Sequence, residues 1–186
     1  MDILQEAAAE FAKLFGRDYI YELENGIKVK LFFAAHHFHH LAGLQKLRDI
    51  PAVKANPKNN SAGYIFKNIL KGTITLEDIK KSLYFNEIEP RLRHFTQINR
   101  IVESAEIVFE FDPALINSKN LQAGRILFKM SNDNLYLNLL LKTDSRKTDF
   151  YIAYTFIPRV TDDYTHEQKG VKIQSRYVIE RFQRKT

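Results

Sequence analysis

The chain contains no cysteine, and that absence removes two classes of chemistry at once: disulfide staples and thiolate metal sites. It fits a reducing, cytoplasmic setting. Glycine is scarce as well, at seven in 186 residues, which leaves little material for a loop that cradles nucleotide phosphates. Accordingly there is no Walker loop, no Rossmann glycine pattern and no GxSxG elbow. Long apolar runs are missing too: none approaches the roughly 20 residues that cross a bilayer. The opening MDILQEAAAEFAKLFG starts acidic and is charged throughout, unlike the basic-then-apolar layout of a signal peptide. These absences lead to the expectation of a soluble, cytoplasmic protein with no membrane partner.

What is present is enough for a core. At 45% hydrophobic residues over its length, the chain is read as one domain spanning 1–186. A formal charge of +6 and a pI near 9.4 suit a polyanionic partner such as nucleic acid, against the plainer reading of a merely basic globular protein.

In chain order, Asp2 and Gln5 form the start signal of a first helix with Leu4, Ala7, Ala8, Phe11, Leu14 and Phe15 inward, stopped at Gly16. Alternation on either side of Asn25-Gly26 predicts a hairpin with a type I′ turn, acidic on one strand and basic on the other. A helix is expected from about Phe38 to Arg48. A mobile basic loop over Ala52–Ser61 follows, then helices at 62–71 and from Thr75 to about Leu83. The longest helix, with Pro90 in its first turn, runs from about Glu87 to Glu103. Strands are expected at Glu106–Phe111, Gly124–Met130, Leu135–Lys142, Phe150–Ile157 and Ser175–Phe182, with a tight connection at 132–134 and a polar loop at Thr161–Gly170. Helices first and strands afterwards make an α+β class: N-terminal helices and a hairpin packed with a C-terminal antiparallel sheet.

The stretch AHHFHHLAGLQKLR holds four of the six histidines. With Leu41, Leu44 and Leu47 defining an apolar helical face, His37 and His40 fall on it and His39 points away. A histidine on such a face titrates readily through neutrality, which makes His40 a candidate acid or base; the alternative is a buried histidine holding a backbone carbonyl. His36 and His40 are four apart and could share a metal ion, yet no third ligand with recognisable spacing accompanies them. On the long helix, Arg93, Gln97 and Arg100 share a solvent face. Arg91 lies on the apolar side, where its guanidinium either holds a carboxylate or stabilises phosphate charge. Tyr151, Ala153 and Thr155 share one face of the fourth strand, and Tyr154 sits on the other. Lys129, Lys142 and Arg159 stand at or beyond strand ends, where ordinary surface cations are also common.

Several segments resemble one family. They are the opening helix, the Glu24-Asn25-Gly26 hairpin, Phe38-x-His40-Leu41-x-Gly43-Leu44-x-Lys46, Gly72-x-Ile74-Thr75-x-x-Asp78-Ile79 and Arg91-Leu92-x-x-Phe95. Over roughly Ile3 to Phe156 these are similar to the phage-associated members of the barnase–EndoU–colicin–RelE-like nuclease superfamily, in particular the fourth of its phage families. The resemblance implies a barnase- or RelE-like fold and a small metal-independent endoribonuclease of phage or mobile-element effector type, without cofactor, cleaving RNA by 2′-hydroxyl attack. On that implication His40 and Arg91 are catalytic together with Thr155, in a cleft between the His40 helix and the later strands. Lys46, His37, Lys129, Tyr154 and Arg159 would contact substrate, and an immunity or inhibitor protein is a candidate partner. The other reading is a non-catalytic nucleic-acid- or protein-binding module on the same fold.

Overall fold

The computed structural model describes residues 1–116, 121, 124–132, 134–145 and 147–181, and of residues 132 and 147–149 the backbone alone. The chain folds into two compact units, one made of residues 1–15 and 34–99 and the other of 16–33 and 100–186.

The first unit is helical. Helix α1 spans Ile3–Ala12, and Asp2 caps it by accepting the Leu4 and Gln5 amides at 3.0 and 2.9 Å. Helix α2 spans Ala35–Leu41, α3 Ala62–Leu70, α4 Leu76–Lys80 and α5 Glu89–His94. Thr75 and Asp78 form the expected capping box at the start of α4. Phe11, Phe38, Phe66 and Phe95, each 2% exposed or less, meet as an aromatic core. Their ring centroids are 5.2 to 6.1 Å apart, and most pairs are edge-on or tilted.

Two expectations are corrected here. Helix α2 ends at Leu41, not near Arg48, because Gly43 takes the left-handed conformation (φ +83°), and a short 3-10 turn over Leu44–Lys46 follows. The long helix is also broken. After α5 the chain tightens into a 3-10 turn at Phe95–Gln97 before α6, Ile98–Ser104. Ile88, Leu92, Phe95, Ile98 and Val102 are nevertheless all buried, so the periodicity was right although the element was not continuous.

The second unit carries the sheet: β1 Arg17–Leu23, β2 Lys28–Phe32, β3 Ile107–Glu110, β4 Ile126–Asn132, β5 Leu135–Asp144, β6 Lys147–Arg159 and β7 Lys169–Glu180. They close into a barrel in the order β1-β2-β6-β5-β4-β3-β7. The α+β class stands, but the all-antiparallel arrangement does not, since β2 pairs with β6 in parallel. The hairpin is part of the barrel itself, its second edge being β1 against β7. Its turn also differs. Gly26 N–H donates to Leu23 O and Leu23 N–H to Ile27 O, both at 2.9 Å, and within the turn only Gly26 has positive φ. That is the three-residue loop with a left-handed glycine, not type I′. The cross-strand charge pair is as expected, with Lys28 Nζ 2.9 Å from Glu22. The last strand begins six residues earlier than expected, at Lys169, and the expected end at Phe182 lies outside the described residues.

Tyr21 and Phe128 stack edge-on at 4.9 Å on one sheet face, and the Tyr21 hydroxyl donates to Val102 O at 2.7 Å. The opposite face of β4–β6 carries a second core of Phe111, Leu121, Leu127, Leu140 and Tyr164. A β-carbon at Gly124 would meet Leu140 at 2.6 Å and Phe111 at 2.8 Å, which is why the chain can enter β4 there only as glycine.

Candidate active site

On α2 the deciding residue is Phe38. It is fully buried in the aromatic core, and the side chains flanking it around the helix, His37, His39, Leu41 and Ala42, are buried with it. His40 falls on the opposite side and is exposed, as is His36. The expectation that His40 faces the core and His39 faces away is therefore reversed. It arose from extending 100° per residue through Gly43 to Leu44 and Leu47, which do not belong to the helix.

Each of the two buried histidines uses a ring nitrogen locally. His39 Nε2 lies 2.7 Å from Val53 O, and burial holds its pKa below the ordinary value against that hydrogen bond. His37 Nδ1 accepts the Ala34 amide at 3.3 Å, capping the first turn of α2. Its ring lies edge-on to His36 at 4.3 Å. The buried carbonyl-holding histidine exists, and it is His39.

Arg91 projects from α5 onto the end of α2. Its Nη1 donates to Leu41 O at 3.5 Å, and a β-carbon on Gly43 would come within 3.3 Å of its Cδ. A guanidinium at the carbonyl end of a helix is favoured by the helix dipole. Here it stands beside the backbone of the residue that follows His40. Lys46, on the 3-10 turn, pairs with Glu87 at 3.1 Å, both side chains being more than a third exposed. Such a pair contributes at most about 1 kcal/mol.

The remaining residues belong to the strand unit. A bulge in β6 sets their directions: Leu140 pairs with Thr155 but Leu141 with Ala153, so Tyr154 is the extra residue. Ala153 and Phe156, opposite Leu141 and Leu139, therefore share one face, and Thr155, opposite Leu140, lies on the other. The expected grouping of Tyr151, Ala153 and Thr155 is corrected by that one extra residue. Thr155 is buried, and Tyr154 packs against the Leu140 core with Lys142 Nζ 5.0 Å from its ring centre.

Lys129 and Arg159 are also on the Thr155 face, opposite Asn138 and Tyr136 of β5. Both are held by a loop the sequence offered only as polar. Lys129 donates to Asp162 at 2.5 Å and Thr165 at 2.9 Å, with the Tyr136 ring 5.2 Å away. Burial raises the Asp162 pKa, but hydrogen bonds from Lys129 and Thr165 outweigh it and hold the carboxyl below its usual range. Arg159 donates to the Tyr164 hydroxyl at 3.1 Å, which raises the guanidinium pKa further. These partners, with Glu87, are what sequence reading missed; an Asp-x-Tyr-Thr run in a loop carries no signal of which cation it will meet.

His37, His40, Lys46 and Arg91 thus all belong to the helical unit, where Arg91 reaches the last turn of α2 and His37 and His40 lie on different sides of that helix. Thr155, Tyr154, Lys129 and Arg159 gather around one face of β4–β6 in the other unit. Among the described residues, no three His, Asp or Glu side chains cluster as a metal site. No described helix is long and apolar enough to cross a membrane. The model of one protein family, described as phage-Barnase-EndoU-ColicinE5/D-RelE like nuclease4, matches residues 3–184.

The chain belongs to this family of nucleases.

No curated protein and no solved structure matches the chain. Membership makes nucleic acid the substrate class of this phage-type nuclease family member and fits the excess of cations over acids.

Proposed function

We propose that this nuclease-family chain is a metal-independent endoribonuclease of phage or mobile-element effector type, acting in the cytoplasm. A base takes the proton of a ribose 2′-hydroxyl, whose oxygen bonds to the adjacent phosphorus. The bond to the 5′-oxygen breaks, and an acid returns a proton to that leaving oxygen. The observation that carries the reading is the exposed His40 imidazole on the last turn of α2, beside the Leu41 carbonyl held by Arg91. An acid or base must reach solvent-borne substrate, and a fixed guanidinium supplies charge for the phosphorane. His40 acts as base or acid, and Arg91 and Lys46 neutralise phosphate; Thr155, buried in the strand unit, is assigned no contact with the reacting bond. Tyr154, Lys129 and Arg159 contact RNA at the strand unit, and His37 holds the first turn of α2.

In the test, His40→Ala removes cleavage of an RNA oligonucleotide while melting is nearly unchanged, since the residue is exposed. A 2′-deoxy nucleotide at the scissile position blocks cleavage, and EDTA leaves the rate unchanged. Full activity in His40→Ala overturns the residue assignment, and loss of activity with chelator overturns the metal-independent route. Salt-dependent RNA binding without turnover by the unaltered protein selects a binding module instead. An immunity protein for such an effector would cover His40, and so would protect RNA in the same assay.

A further inference from the structure

The cations of the helical unit divide sharply. Lys13, Lys46, Lys80, Lys81 and Arg93 each pair with a carboxylate, and Arg91 holds the end of α2. Arg48, Lys54, Lys58, Lys67 and Lys71 have no ion pair among the described residues, and all five are exposed. From Ile50 to Leu76 the sequence contains no acidic residue at all, so the last four lie in a field without local compensation.

Those four also lie on consecutive elements, the loop that leads into α3 and α3 itself. Lys67 and Lys71 follow Tyr64 at i+3 and i+7, one stripe of α3 about 10 Å long. Tyr64 stands 55% exposed on that stripe. Lys54 and Lys58 are pinned beside the start of the same helix. Asn60, the residue before the Ser61 cap, donates to the Lys54 and Ala52 carbonyls at 3.1 Å, and Asn56 and Asn60 exchange backbone bonds at 2.8 and 3.0 Å. Helix-dipole stabilisation explains lysines in the last turn of α3 but not the two in the loop, nor an exposed tyrosine between the sets.

We infer that the α3 face with the 54–60 loop is a second nucleic-acid contact surface, which binds single-stranded RNA flanking the scissile bond. Lysines spaced along a helix track phosphates, and an exposed aromatic ring among them stacks on an unpaired base, which duplex RNA does not present. The inference rests on the nuclease reading for the identity of its ligand.

The test uses the full chain, with a single-stranded RNA of about a dozen nucleotides made uncleavable by 2′-O-methyl groups, and reads binding by fluorescence anisotropy across salt concentrations. Replacing Lys54, Lys58, Lys67 and Lys71 together by Gln is expected to flatten the slope of log K against log salt by about 3. Tyr64→Ala weakens single-strand binding about tenfold and leaves duplex binding unchanged. Cleavage of a dinucleotide, too short to reach this surface, stays at the unaltered rate in both variants. An unchanged affinity and salt slope overturns the inference, as does equal weakening of duplex binding by Tyr64→Ala. Absence of dinucleotide cleavage in the unaltered protein counts against the nuclease reading alone, because the binding slopes still decide the surface.

Discussion

His39 and His40 are neighbours in sequence with opposite fates, and the difference gives two separable phenotypes. His39→Ala leaves the Val53 carbonyl without its partner in a buried site, which costs about 1–3 kcal/mol. Urea unfolding should shift by that amount while the rate per folded molecule holds. His40→Ala should do the reverse. His39 also makes stability pH-dependent. Burial lowers its folded-state pKa, so below about pH 6.5 the unfolded chain takes up a proton that the folded one refuses. Stability therefore falls as the pH drops below that value, by up to about 1.4 kcal/mol per pH unit for each such histidine. His94 adds in the same direction, lowered by burial and by Arg93. His39→Gln keeps a donor for Val53 but cannot titrate, so its stability should fall less between pH 7.5 and 5.5. An unaltered pH dependence would remove His39 from that role. The helical pattern puts the buried carbonyl-holder forward as the alternative role of His40 and turns His39 outward, whereas it is His39 that meets the Val53 carbonyl. The difference lies in Phe38, whose place in the core depends on Phe11, Phe66 and Phe95 arriving from three distant segments.

At the scale of elements, the end of α2 fixes where Arg91 meets the Leu41 carbonyl, next in sequence to His40, and Gly43 fixes that end. An alanine there suffers twice: φ is +83°, and its Cβ would lie 2.9 Å from Ile88 Cγ2. The two effects together should cost about 2 kcal/mol or more. Gly16, at φ +73° with nothing within 4 Å, isolates the conformational part alone, about 1 kcal/mol. Comparing Gly43→Ala with Gly16→Ala by urea denaturation tests this, and RNA cleavage should suffer only in the former, because Ile88 and Arg91 shift together. Equal losses of stability in the two variants would contradict the packing argument. Elements announced by local chemistry were legible: the Asp2 and Thr75 caps, the Asn25-Gly26 hairpin and the buried stripe from Ile88 to Val102. What stayed hidden depended on non-local matches. Nothing near Lys28–Phe32 signals a parallel partner at Phe150–Ile152, and nothing in β6 signals that Tyr154 is extra. The start of β7 is missed although Val171, Ile173 and Ser175 alternate inward with exposed Lys172, Gln174 and Arg176, because that short run follows directly on the polar 161–170 stretch and reads as part of it.

For the whole molecule, the chain path makes a specific claim about cooperativity. The backbone passes from one unit to the other at residues 15–16, 33–34 and 99–100, so neither unit is a contiguous segment. The barrel needs β1 and β2, which lie between α1 and α2 in sequence, to fill the gap from β7 round to β6. Without them both β6 and β7 would carry an unpaired edge, and long unpaired edges recruit other chains. We propose that 1–186 is accordingly one folding domain. Calorimetry of the full chain should give a single transition whose calorimetric and van't Hoff enthalpies agree. A fragment of residues 100–186 alone should aggregate or remain unfolded, and supplying residues 16–33 as a separate peptide should restore part of its sheet signal, because that segment pairs through its backbone with both edges. Two resolved transitions in the full chain, or a soluble folded 100–186 fragment, would show that the barrel closes without the hairpin and would divide the chain into independent domains.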